Sequence, residues 1–297
     1  MGAGTDYEAM ANALEASGKY RLLRRLEPRG IVNENDGSAT RLGIFLDLET
    51  TGLDVRRDEI IEIAMVPFTY ALDGRIFDIR EPFQRLRQPS IPIPAEITRI
   101  TGIDDAMVEG RVVDPAEVAA FVEPADLILA HNAAFDRRFA ERFCEAFSVK
   151  PWGCSLSQIP WKEEGFEGTR LGSLLAGCGL FHDAHRAVGD CLAAIEILSR
   201  PLPRSGVLAL AKLLDTARRP TCRVWAENSP FDLRNALKAR GYRWSDGSDG
   251  RPRAWYADVT EDRLDAELKF LRSEIYQFDA EFNLHRITAR ERFSDRA

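Results

Sequence analysis

The sequence predicts an α/β protein, a mixed sheet flanked by helices, with a small α+β unit at its C-terminal end. Three observations carry this. GIFLDLE (Gly43 to Glu49), EIIEIAMVPFTY (Glu59 to Tyr70) and IFDIREPFQRLR (Ile76 to Arg87) are strand-like segments joined by short turns, which makes them antiparallel neighbours. From Pro115 onward, helical patterns alternate with a short apolar strand. Past Arg204 the rhythm changes again, to helix, strand, helix, two strands and a last helix.

Taken in order, Thr5-Asp-Tyr-Glu8 fits a capping box and Gly18 fits a helix stop, so the chain opens on a short helix. YRLLRRL (Tyr20 to Leu26) suits a strand or a helix turn, and the polar NENDGSAT (Asn33 to Thr40) reads as a linker. After the three strands comes the proline-rich QPSIPIPAEI, then a helix at Pro115 to Val122 and a strand at Asp126 to Asn132. AAFDRRFAERFCEAF follows as an amphipathic helix in which Phe135, Phe139, Phe143 and Phe147 recur every fourth residue, a stripe facing a core. TRLGSLLAGCG, HRAVGDCLAAIEILSR and SGVLALAKLLDTARRP are three further helices. Thr221 to Glu227 is a strand, and PFDLRNALKARG a helix with Pro at its start and Gly at its stop. RWSDGSDGRPRAWYADV gives two strands around a polar loop, and DRLDAELKFLRSEIY a final helix. The expected divisions are a lead-in over 1–40, a main domain over 41–204 and an accessory α+β domain over 205–297.

At 297 residues, 45% hydrophobic and 29% charged, the composition is that of an ordinary globular protein with a sizeable core. No apolar run approaches the roughly 20 residues of a membrane span, and the first residues lack the basic and apolar regions of a secretory signal. A cytoplasmic protein with no membrane partner is expected. Five cysteines, without a C-x-x-C spacing, suggest neither a zinc site nor a disulfide framework. The net charge of −7 excludes a simple cationic nucleic-acid binder, but its distribution is uneven. Nine basic residues against four acidic ones lie between Arg218 and Arg253, with Trp225, Tyr242 and Trp244 among them and Trp255 and Tyr256 directly after. Arginines with aromatics suit phosphate contact and base stacking, although the same aromatics would also serve as the core of a small domain.

The informative feature is where carboxylates fall. Asp47 and Glu49 interrupt the apolar strand IFLDLE and, two residues apart, share one face of it. Asp136 sits one turn into the helix after LILAHN, and Asp190 falls near the start of the HRAVGD helix, five residues after His185. Each alone has an ordinary explanation, such as an exposed strand face or a charge favoured by a helix N-terminus. Buried carboxylates cost several kcal/mol each unless something pairs with them. Four of them converging without arginine partners call for hard divalent cations, Mg²⁺ or Mn²⁺. Two such ions clamp an in-line displacement at phosphorus.

The three blocks FLDLETTGL, AHNAAFD and HRAVGD, in this order across roughly Leu42 to Leu198, resemble the DEDDh family of proofreading-type 3′–5′ exonucleases. The resemblance implies a ribonuclease-H-like fold and assigns Asp47, Glu49, Asp136 and Asp190 to two Mg²⁺ or Mn²⁺ ions. It makes His185 the general base that takes a proton from the attacking water. The backbone around Thr50, Thr51 and Gly52 would hold the terminal nucleotide, with Leu53 wedged against its base, Asn132 shaping the site, and EITRITGI (Glu96 to Ile103) lining the pocket. His131 and His182, off the catalytic position, are expected in structural roles. The tyrosine branch of the family is excluded, since Arg186 stands where its tyrosine would be. The implied reaction is hydrolysis of terminal phosphodiesters to nucleoside 5′-monophosphates. DNA is the preferred substrate, with a DNA polymerase or repair assembly as partner. An exoribonuclease is the alternative, and an inactive nucleic-acid-binding module a lesser one.

Overall fold

The computed structural model describes residues 6–183, 186–248 and 250–297. Its first strands are β1 (Arg24–Arg25), β2 (Thr40–Thr50), β3 (Ile60–Ala71), β4 (Ile76–Ile79), β5 (Phe83–Leu86), β6 (Leu127–Ala130), β7 (Trp152–Cys154) and β8 (Leu180–Phe181). β9 (Thr221–Ala226), β10 (Arg243–Trp244), β11 (Trp255–Thr260) and β12 (Asn283–Ile287) follow. The helices are α1 (Tyr7–Ala16), α2 (Ala95–Thr101), α3 (Asp105–Val108), α4 (Pro115–Val122) and α5 (Ala133–Phe143). To these are added α6 (Leu171–Gly177), α7 (Ala187–Leu198), α8 (Ala209–Arg218), α9 (Arg234–Ala239) and α10 (Leu264–Phe270).

The main sheet has the order β4-β3-β2-β6-β7, with β5 also pairing on β3. β3 is antiparallel to β2, β4 and β5, whereas β2, β6 and β7 run parallel. The sheet is therefore mixed, as the strand pattern predicts. Every residue of β3 is buried, which explains its continuous apolar run. Alternation along β2 divides two cores. Phe45 faces α7 and α8 together with Val66, Phe68, Ile195 and Leu213. Ile44, Leu46 and Leu48 face α4 and α5 together with Val118, Val122 and Phe139. The predicted phenylalanine stripe lies in this second core, Phe139 of α5 and Phe147 buried and Phe135 and Phe143 packed against them, but α5 ends at Phe143 and Phe147 stands on a separate 3-10 turn, Glu145–Val149.

Leu210, Leu213 and Leu214 of α8 belong to the first core. Burying each contributes roughly 1.5–3 kcal/mol, so α8 packs with the main sheet although the sequence pattern groups it with the following residues. Beyond it, β10-β11-β9-β12 form an antiparallel sheet. Val224, Ala226, Leu237, Tyr242 and Leu271 make its core. Tyr242 is buried there and Trp255 packs against it, Trp225 is buried beside the Tyr256 ring, and Trp244 is 49% exposed, so most of the aromatics of the basic stretch are packing. β12 and the parallel β1–β8 pair are not anticipated by the sequence pattern. At the other end, α1 is capped by Asp6, whose carboxylate accepts from the Ala9 N–H at 3.0 Å; the expected cap, Thr5, lies outside the described residues. Among the described residues no helix is long and apolar enough to cross a membrane.

After β12 the chain returns to the main domain as a strap. The Trp152 N–H donates to the Ala289 carbonyl at 2.8 Å. Arg137, fully buried on α5, donates to the carbonyls of Ala289, Arg290 and Arg292 and to Glu141. Arg137→Met would take a donor from three carbonyls and from the Glu141 carboxylate, which Ser294 and Arg296 would still hold. Removing one partner of a buried pair costs about 3–5 kcal/mol, so the denaturant midpoint should fall accordingly. An unchanged midpoint would show that the strap is not held through this side chain.

Candidate active site

β2 and β6 are parallel, so their C-terminal ends lie at one edge of the sheet, where α/β folds place their sites. Asp47 and Glu49 stand on the last turnings of β2, opposite Ala64 and Glu62 of β3. α5 starts three residues after β6 ends and brings Asp136, nearly fully buried, to the same edge. α7 crosses the opposite face and carries Asp190 in its first turn. The Cys191 thiol donates to the Phe45 carbonyl at 3.4 Å, tying α7 to β2.

The carboxylates of Asp47, Glu49 and Asp190 each offer an oxygen within 4.8 Å of the others, and all three residues are half-buried. Asp136 stands beside this trio, and its charge acts on both Asp47 and Glu49. Burial, then repulsion from Asp136, Asp190 and Glu49, drives the Asp47 carboxyl well above the usual range. Burial and the charges of Asp190, Glu62 and Asp136 push Glu49 up to about 8, against a modest pull from Arg186. Burial lifts Asp136 to about 7, opposed by the backbone amides of Asp136 and Leu48. Among the described residues neither lysine nor arginine ion-pairs with Asp47, Glu49 or Asp136. Closely set oxygen donors with unmet negative charge fit hard divalent cations.

A raised carboxyl pKa binds protons more tightly in the folded than in the unfolded chain. Stability from Glu49 and Asp136 is therefore fully present below their unfolded values of about 4 to 4.5. It is lost as pH rises through about 7 for Asp136 and about 8 for Glu49. In chelator the melting temperature should fall across that window, and a divalent cation should flatten the fall. A chelator profile flat to pH about 9 would mean that the acids do not repel one another.

Two neighbours complete the cluster. His182 Nε2 lies 2.7 Å from Asp190 Oδ1, so the structural role expected of His182 is a specific one: it orients an acid of the site. Glu62, absent from the sequence-based set, is fully buried on the same face of the sheet. It accepts from the Gln84 amide and from the Ala187 N–H at the start of α7. Its signal was a single charge inside the apolar run of β3. His131 is held by Ser155 Oγ and the Thr169 carbonyl at 2.9 Å each, and burial lowers its pKa, in keeping with a structural role. His185 lies outside the described residues.

Of the expected nucleotide-binding residues, Thr50 and Thr51 are buried, their hydroxyls donating to the Gly52 carbonyl and to Asp58. The Thr51 N–H donates to the Glu59 carbonyl. A Cβ on Gly52 would come within 2.5 Å of the Asp58 carboxylate, so a larger residue there would push that side chain off Thr51. Leu53 projects into solvent, 84% exposed. Asn132 is exposed at the N-terminus of α5 and its side chain makes no cap. Thr101 and Ile103 of the Glu96 to Ile103 segment are buried, and Ile100 is partly exposed.

A fold of this kind with an acid cluster at the sheet edge defines the class, and the comparisons name the family. The family model described as "Exonuclease" matches residues 44–198, more than half of the chain, and the chain belongs to that family. The resemblance to its DEDDh type and the ribonuclease-H-like fold both hold. A DNA polymerase III PolC-type of Caldanaerobacter subterraneus subsp. tengcongensis is 28% identical over 66% of this chain and 15% of its own length. DNA polymerase III subunit epsilon of Aquifex aeolicus is 28% identical over 54% of this chain and 79% of its own. The chain thus spans well under a fifth of the PolC-type relatives it matches. Zinc-bound E. coli exonuclease I in complex with single-stranded DNA has the same fold, with a TM-score of 0.51, 18% identity and coverage of 79% of this chain and 71% of its own.

Proposed function

We propose that the protein is a divalent-metal-dependent 3′–5′ exonuclease acting on DNA, releasing nucleoside 5′-monophosphates. The observation that carries this is the convergence of Asp47, Glu49 and Asp190 within 4.8 Å of one another beside buried Asp136, where burial and the neighbouring carboxylates hold the Asp47 carboxyl well above its ordinary range. These four would hold two ions, Mg²⁺ or Mn²⁺. The ions would supply charge neutralisation at the scissile phosphate.

The chain's own residues do the rest. His185 takes a proton from the attacking water, and His182 keeps Asp190 aimed into the site. The water oxygen bonds to phosphorus, and the bond from phosphorus to the 3′ oxygen of the preceding nucleotide breaks. That oxygen leaves with the electron pair and is protonated from solvent. The turn at Thr50 to Gly52 presents backbone to the terminal nucleotide, and exposed Leu53 is free to meet its base. Asn132 shapes the approach. DNA as substrate, with a polymerase or repair assembly as partner, is favoured by what the named relatives act on.

The proposed division is a lead-in over 1–40, an exonuclease core from 41 and an accessory α+β unit. Packing of α8 in the first core favours setting the last border after Arg218 rather than at 204. The test offers end-labelled single-stranded DNA, mismatched duplex and RNA, each with Mg²⁺, Mn²⁺ or chelator. Stepwise shortening of DNA from the 3′ end, absent in chelator, is expected. Hydrolysis that survives chelator would sink the metal-dependent reading, and faster loss of RNA would overturn the choice of DNA.

A further inference from the structure

A cavity of about 620 Å³ lies between the exonuclease core and the C-terminal sheet; Asn132 is on its wall, but none of Asp47, Glu49, Asp136 and Asp190 lines it. Ala134 and Arg138 of α5, Lys212 and Thr216 of α8, Tyr256 of β11 and Phe293 of the strap lie on its walls. Seven basic side chains line it against three acidic ones. Those three acids are already engaged: Asp258 with Arg223 and Arg243, Asp215 with Arg219, and Asp295 with Arg138. Lys212 and Arg292 make no ion pair among the described residues. Arg292 instead donates to the carbonyls of Ala217 and Arg219 at the end of α8.

Two donors in the lining have nothing to donate to. Arg223, only 7% exposed, uses Nε and Nη2 on Asp258 and leaves Nη1 without a partner. Gln158, 6% exposed, accepts from the Cys154 N–H through Oε1 and leaves its Nε2 without one. Arg138 Nε is not counted with them, since Asp295 lies 2.7 Å away. A buried donor left unmet costs about 1–3 kcal/mol, more when charged, so two of them in one positively charged cavity indicate a missing acceptor. Neutral water would leave the charges of Lys212 and Arg292 unanswered. A carboxylate offers two oxygens, whereas a phosphate offers three or four directed to different walls. The volume falls in the range of small-molecule sites, and arginine pairs readily with phosphate.

We infer that this cavity is a second phosphate-binding site, taking the phosphate of a nucleotide or of a nucleic-acid strand. The four acids of the hydrolytic centre take no part in its lining, so the assignment does not depend on the exonuclease reading. The experiment uses the full chain carrying Asp47→Asn, in chelator, so that the acid cluster cannot hold phosphate through an ion. Inorganic phosphate, a nucleoside, its 5′-monophosphate and a short single-stranded oligonucleotide are titrated by calorimetry. Phosphate-bearing probes should bind and the bare nucleoside should not. The comparison of monophosphate with oligonucleotide tells whether the source is a free nucleotide or a strand. Gln158→Glu keeps the oxygen that Cys154 needs and replaces the free donor with a negative acceptor; Lys212→Glu reverses a charge on the rim. Each should weaken binding roughly tenfold or more. Failure of every phosphate probe, equal binding of the nucleoside, or affinity unchanged in both variants would overturn the assignment.

Discussion

Asp47→Asn is expected to abolish hydrolysis while making the metal-free protein more stable. The two effects share one cause. Asp47 stands where burial and the charges of Asp136, Asp190 and Glu49 all oppose its ionisation. An amide of the same shape is neutral without taking up a proton, so the cost of burying an acid there is removed. The melting temperature in chelator at neutral pH should therefore rise. The variant has also lost one of the carboxylates that would hold the proposed ions. Electrostatic stabilisation by bound metal is worth several kcal/mol, and each 1.36 kcal/mol is tenfold in rate, so turnover should fall on the order of 10³-fold or more. Calorimetric titration with Mn²⁺ should show weaker uptake, and the added cation should no longer raise the melting temperature as it does in the parent. A variant both stabilised and inactive separates a metal site from a merely structural acid cluster. Parental turnover in saturating Mg²⁺ would remove Asp47 from the chemistry.

How much of this was legible beforehand follows from where the partners lie in the chain. Asp47 and Glu49 could be read from nine consecutive residues, because a strand's two-residue period puts both on one face. The order of the three blocks then supplied Asp136 and Asp190. Glu62 also carried a signal, one charge in twelve buried positions of β3. Its meaning, however, depends on the cross-strand pairing with Glu49 and on the start of α7, 125 residues away. The place of α8 was hidden for the same reason. Its leucines announce an apolar face, but only the packed core shows which sheet they meet. The strap is the extreme case. Arg137 looks like one charge on an amphipathic helix, and the carbonyls it binds lie more than 150 residues later. Local periodicity specifies faces; it does not specify what covers them.

His185 and His182 should fail in different ways, and the difference tests the proposed mechanism. As the acceptor of the water's proton, His185 adds nothing to metal affinity. His185→Ala should keep cation and DNA binding and lower turnover by roughly 10²–10⁴. The parent's rate should climb as pH passes through the ordinary histidine range near 6.5, and the variant should lose that limb. His182 acts one step back, through its 2.7 Å contact with Asp190 Oδ1. The ring is nearly buried, with 8% of its side chain exposed, so His182→Ala leaves Asp190 free to turn away. That loss is one of positioning: more Mg²⁺ should be needed for half-maximal rate, saturating Mg²⁺ should restore most of the turnover, and the pH limb should remain. His182→Asn, which can still donate to the carboxylate, should recover part of the metal affinity. A dead His182→Ala at saturating Mg²⁺ beside an active His185→Ala would exchange the two roles. Near-parental turnover in both would mean that the attacking water needs no side-chain base.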